Sequence, residues 1–249
     1  MAPFAVSAEP PFAPSTVPWG WRDMIRAIAL SILSCIILFV LLIIAIVVRQ
    51  LIGTADDLIV LTSSVEVGIY GIFLLAIYWT TVRRYDSPWA TLGLRPVSWG
   101  WLVLAPLLVF GMLVVDGAMI SAISTLQGTP FVNPQVQDIT QGEHLTPRHL
   151  LMLLVSVAIV APIVEELFFR GMLYPLLRRG LPAWLAIVVN AAIFAVLHFI
   201  PILLPMLFAM GLLLTFVRAR TNSILPGILI HALNNAVVIF GIYAAFGGK

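Results

Sequence analysis

Polar residues interrupt this chain in a regular way, and between the interruptions lie apolar stretches of roughly 18 residues or more, the length a helix needs to cross a bilayer. Seven such helices are expected, over about Met24–Val48, Leu58–Val82, Trp99–Leu126, Leu150–Phe169 (continuing beyond), Ala183–Phe199, Ile202–Val217 and Ile224–Phe246. The linker around Ile200 and Pro201 is so short that helices five and six should form an antiparallel hairpin. Residues 127–149 make the longest polar loop, with Gly, Pro, Asn and Gln throughout.

Composition turns this pattern into a class. Of 249 residues, 61% are hydrophobic and 10% charged, against roughly a quarter charged in a soluble domain. The fold class expected is therefore all-α: a polytopic transmembrane helix bundle of about seven spans, with a membrane-embedded polar cavity. Cys35 is the single cysteine and sits in the first apolar run, which leaves no intrachain disulfide and no thiolate cluster. It reads as a small hydrophobe.

Residues 1–21 are rich in Pro and Ala and are expected to be a disordered cytosolic tail. Trp19 and Trp21 beside Arg22, like Ser98-Trp99-Gly100-Trp101, resemble aromatic anchors at a membrane surface. A cleaved signal peptide fits poorly, because the basic residues come late and the apolar run is too long. The net charge of +2 matters less than its placement. With the N-terminus inside, Arg22, Arg26, Arg83, Arg84, Arg95, Arg170, Arg178, Arg179, Arg218 and Arg220 fall towards the cytoplasm. Arg49, Arg148 and Lys249 fall outside. That asymmetry orients the protein in an inner (plasma) membrane with a cytoplasmic N-terminus.

Ionisable residues inside the apolar runs are costly to keep and mark functional candidates. Glu66 and Asp116 stand alone in helices two and three, as lone proton or ion sites of a transporter would, or as polar contacts between helices. Glu165 and Glu166 are adjacent, and Arg170 follows Glu166 by four, the favoured orientation for an ion pair on one helix face. Glu165 points about 100° away. One carboxylate is thus paired and the other placed for acid/base chemistry; the alternative is an interfacial ion-pair network. Pro162 removes one backbone hydrogen bond and predicts a kink. Phe194 and His198 are one turn apart, and so are His231 and Asn235, with Asn234 between them. The last pair serves either as polar glue between helices or as an oxyanion site.

Taken in order, Glu165-Glu166-Leu-Phe-Phe-Arg170, Phe194-Ala-Val-Leu-His198 and His231-Ala-Leu-Asn-Asn235 resemble the motifs of the CAAX prenyl endopeptidase and bacteriocin-processing (CPBP, or Abi) intramembrane proteases, which include the Ras-converting enzyme. Leu92-Gly93-Leu94-Arg95 and Arg220-Thr221-Asn222-Ser223-Ile224 look like further elements of that family. The clear resemblance covers about 150–244, so 150–246 is expected to be the catalytic core and 22–149 the N-terminal transmembrane helices and outer loop. By motif position, the resemblance implies that Glu165 and His198 activate the attacking water, that His231 and Asn235 stabilise the oxyanion, and that Glu166, Arg170 and Phe194 support the site. No cofactor is favoured. Zinc held by Glu165, His198 and His231 is the alternative, although His-Glu-x-x-His is absent.

The function expected is an intramembrane endopeptidase that hydrolyses a peptide bond of a membrane-bound peptide or protein, without nucleic acid. A proton-coupled transporter and a non-catalytic scaffold or bacteriocin-immunity protein are the competing classes. One question is left to the fold. By position, His198 lies about 15 residues into helix five and His231 about seven into the last helix, at 1.5 Å per residue. The resemblance requires them to be close.

Overall fold

A computed structural model describes residues 16–51 and 57–247. Most of the expected tail (residues 1–15) and the outer basic residue Lys249 lie outside the described residues. The helices are α1 (Trp21–Leu51), α2 (Leu58–Tyr78), α3 (Trp99–Gln127), the short α4 (Pro134–Thr140), α5 (Pro147–Leu177), α6 (Ala183–Val196), α7 (Leu204–Thr221) and α8 (Leu225–Phe246). α2 runs on through a wide turn over Trp79–Arg83. Six of these are long and apolar enough to cross a membrane, and α6 is a shorter apolar helix. The protein is an integral membrane protein, all-α and polytopic, with about seven spans as expected.

The chain divides into two compact units. The first holds the described residues of Met1–Val17, with Pro88–Pro134 and Glu165–Asn234. Within it, α6 and α7 form the expected hairpin through a tight turn at Pro201–Leu203. Small residues let the two helices approach closely: a Cβ on Gly211 would come within 2.9 Å of the Ala191 Cα. On the other side of α7, Met210, Leu214 and Val217 bury against Val109 and Met112 of α3 and Ile230 of α8. Asn222, left-handed at φ 53°, ends α7 and lets the chain turn back into α8.

Two loop segments noted in the sequence meet here. Gly93 carries φ 90°, a conformation that favours glycine, and its carbonyl accepts the Ile224 N–H at 2.8 Å. Ser223 Oγ donates to the Arg95 carbonyl at 2.6 Å. A Cβ on Gly171 would strike the Leu92 carbonyl at 2.8 Å, so α5 is also held tightly against this loop.

The second unit comprises the described residues of Pro18–Ser87, Gln135–Val164 and Asn235–Lys249. Asp57 caps α2 by accepting from the Val60 N–H at 3.1 Å and also contacts His149 Nε2 at 2.9 Å. Burial pushes the Asp57 carboxyl up, but the His149 and Val60 hydrogen bonds and the nearby Arg148 outweigh it and hold the group below its ordinary 3.8. His149 also completes a capping box with Thr146, which starts α5 three residues before the expected Leu150. Asp23 receives Tyr85 Oη at 2.6 Å and pairs with Arg84 at 3.2 Å. The end of the expected tail is packed: Trp19 is fully buried.

α5 is not a uniform helix. Wide π turns at Leu154–Val160 and Leu167–Leu173 bracket a short α-helical segment, Ala161–Glu166. Pro162, which has no N–H to donate, falls just after the first wide turn; π turns of this kind often accompany functional sites. Both glutamates sit at the end of the regular segment.

Candidate active site

The chemistry-bearing residues of the first unit are built on a fully buried ion pair. Arg170 Nη1 donates to Glu166 Oε1 at 2.8 Å, and neither side chain is exposed. The other two guanidinium nitrogens are also engaged. Nη2 donates to the Gly211 carbonyl at 3.2 Å and Nε to Thr215 Oγ1 at 3.3 Å. The Thr215 hydroxyl lies 2.7 Å from the Gly211 carbonyl and 3.0 Å from Asn190 Oδ1, and Asn190 Nδ2 donates to the Phe169 carbonyl at 2.8 Å. Arg218 Nε donates to the Arg170 carbonyl at 3.2 Å. An arginine suits this place because its planar fork reaches several acceptors at once and its face stacks on aromatics. The guanidinium carbon sits 4.6 Å from the Phe194 ring centroid.

Phe194 is the hub of the site. Its ring packs edge-on against Phe169 at 5.1 Å, His198 at 4.6 Å and His231 at 5.8 Å between centroids. The depth question is answered at this ring, because one phenyl side chain carries both histidines. α6 has only 14 residues and stops at Val196, not at the expected Phe199. His198 therefore lies just past the helix end, not on its face. Phe199, at φ 56°, turns the chain away there. The Phe194 carbonyl loses its helical partner and instead faces His198 Nδ1 at 2.7 Å. A carbonyl can only accept, so Nδ1 carries a proton, which leaves Nε2 as the ring nitrogen turned to other partners.

His231 lies between the two carboxylates. Its Nδ1 is 3.5 Å from Glu166 Oε1 and its Nε2 is 3.9 Å from Glu165 Oε2. Glu165 is the more accessible glutamate, with 15% of its side chain exposed against none for Glu166. Gly227, one turn before His231, is needed here, since a Cβ would fall 2.7 Å from Glu166 Oε2.

Glu165, Glu166, Arg170, Phe194, His198 and His231 thus share one compact unit. Asn235 belongs to the second, where its Nδ2 donates to the Val157 carbonyl of α5 at 2.9 Å. Asp116 is in the first unit with a buried Oδ1 that has no hydrogen-bond partner, and Glu66 is in the second, half-buried on α2. Among the described residues, no three His, Cys, Asp or Glu side chains form a group that could hold a metal ion.

The sequence reading missed Asn190, Gly211 and Thr215, which hold Arg170 in place. Their signal is spacing. Asn190 stands one turn before Phe194, and Gly211 one turn before Thr215, so each pair marks a single face of an otherwise apolar helix.

Residues 147–237 match the model of the Rce1-like family, described as type II CAAX prenyl endopeptidase Rce1-like. Two relatives are similar over the same order of length. The membrane-embedded CAAX protease MroQ of Staphylococcus aureus is 24% identical over 164 residues, 63% of this chain and 58% of that protein. An uncharacterized 24.3 kDa protein of Escherichia coli is 26% identical over 166 residues, 64% of this chain and 71% of that protein. The similarity thus spans just over half the length of the first relative. No solved structure matches significantly. Over residues 147–237 the chain is similar to the Rce1-like family, described as type II CAAX prenyl endopeptidase, the group that its three motifs resemble.

Proposed function

We propose that this protein is a membrane-embedded endopeptidase whose Glu165, with His198, activates water to cleave a peptide bond of a membrane-bound substrate. The observation that carries this reading is the contrast between the two glutamates. Glu166 is buried and tied to Arg170, while Glu165 is partly open and faces His231 at 3.9 Å. Two carboxylates in unlike environments are what acid/base chemistry needs. The Rce1-like match and the name of the Staphylococcus aureus relative agree with it.

In this mechanism Glu165 removes a proton from water, and His198 Nε2 accepts the hydrogen bond that orients it. The water oxygen attacks the peptide carbonyl carbon, and the carbonyl π electrons move onto its oxygen. A ring N–H of His231 stabilises that oxyanion. Collapse breaks the C–N bond, and Glu165 returns its proton to the leaving amine, giving a carboxylic acid, which keeps the second water proton, and an amine. Glu166 and Arg170 take no proton; they fix the positions of His231 and Phe194. No step passes through a metal.

The test uses Glu165→Gln and His198→Ala, assayed on an internally quenched peptide in detergent. Each should lower kcat by about 10²–10⁴, and Glu165→Gln should do so without lowering the thermal midpoint. Wild-type turnover in both variants would remove the catalytic assignment. Phenanthroline should leave activity unchanged; a loss that zinc restores would replace this mechanism with a metal-dependent one.

A further inference from the structure

We propose that Asn234 is a positioning residue of this site, whose side-chain oxygen accepts a hydrogen bond from a main-chain N–H of the peptide substrate. The inference rests on the endopeptidase reading and deepens it. Asn234 Oδ1 is buried and has no hydrogen-bond partner. An unsatisfied acceptor inside a membrane protein is costly and rare, and this one lies three residues from His231.

Its direction follows from the helix. At about 100° per residue, Asn234 falls about 40° from Ile230 and about 60° from His231 on the surface of α8. Ile230 packs towards α3 and α7, and His231 packs on Phe194 of α6. Asn234 therefore faces the sector between them, one turn beyond His231. α6 and α8 run the same way, because α7 reverses the chain between them. His198 follows Phe194 by four residues, just past the end of α6, and Phe194 touches both histidine rings. Asn234 thus shares with His231 the half of α8 turned towards Phe194, the ring that touches both histidines. Asn235, by contrast, is turned to the Val157 carbonyl.

A peptide bound at membrane depth brings main-chain N–H groups that have lost their water, and each needs an acceptor. Asn234 supplies a neutral one. A carboxylate there would compete with Glu165 for protons, and a donor could not serve an N–H. The test distinguishes an acceptor oxygen from a donor nitrogen at this position.

The experiment compares wild type, Asn234→Ala and Asn234→Leu on one quenched peptide and on a set of depsipeptides, each with one amide near the scissile bond replaced by an ester. Both variants should raise KM about three- to tenfold, the loss of one neutral hydrogen bond, with kcat nearly unchanged. One depsipeptide should show the same high KM with wild type and with the variants. The thermal midpoint should hold or rise, since removing an unsatisfied buried acceptor relieves its burial. A KM that does not move, a loss in kcat alone, a lowered midpoint, or an equal KM penalty on every depsipeptide would each overturn the proposal. The last is the outcome expected if the amide nitrogen faces the substrate. Cleavage by wild type but not by Glu165→Gln shows that the endopeptidase reading stands while Asn234 is judged; no cleavage by wild type would sink both.

Discussion

At the scale of single residues, the arginine is more exacting than the glutamates. Arg170 is fully buried and serves Glu166, Gly211 and Thr215 from its five donors while lying against Phe194. Removing one partner of a buried pair leaves an uncompensated charge, at about 3–5 kcal/mol. Arg170→Met should therefore lower the unfolding free energy by about that amount in detergent. The double variant Arg170→Met with Glu166→Gln should recover much of it, because no lone charge remains. Arg170→Lys should stay destabilised, since an ammonium cannot span the same acceptors. Equal stability of Arg170→Met and wild type would show that the pair is not a structural keystone.

At the scale of elements, the site depends on how closely α6 and α7 approach. Gly211 is the contact point: its carbonyl receives Arg170 and Thr215, and a Cβ would lie 2.9 Å from the Ala191 Cα. Gly211→Val should separate the helices, costing about 1–3 kcal/mol in stability, and should lower activity as well by loosening Arg170. Gly111→Ala on α3 is the control, because a Cβ there meets nothing within 4 Å. Its midpoint should be unchanged or higher. Similar midpoints for the two variants would remove the close-approach argument. The wide turns of α5 belong to the same scale: neither can be read from an apolar run, because hydrophobicity does not distinguish a 3.6-residue turn from a wider one.

For the whole molecule, the distribution of arginines predicts the orientation. The loop over residues 127–149 should face outward and the segment around Arg178 should face the cytoplasm. In a Cys35→Ala background, Gln141→Cys, which is exposed, should react with a membrane-impermeant maleimide added outside intact cells. Arg179→Cys, also exposed, should react only after lysis. The reversed pattern would invert the topology and place the Glu165 segment towards the opposite face.

The class of protein was legible from composition alone, since so few charges among so many apolar residues leave only a membrane solvent for the helices. The Glu166–Arg170 pair was legible too, because both partners lie on one helix at a spacing that helical geometry dictates. Contacts between helices were not. That Phe194 would carry both histidine rings, and that Asn190, Gly211 and Thr215 would hold the arginine, depends on how α6 and α7 pack, and apolar runs look alike whichever neighbour they bury against. The end of α6 was misplaced for a related reason. Val196 to Phe199 are compatible with a longer helix by propensity, yet His198 Nδ1 takes the Phe194 carbonyl and Phe199 turns left-handed. Only the tertiary structure could decide that, because the cost of ending the helix is offset by contacts made elsewhere in the chain.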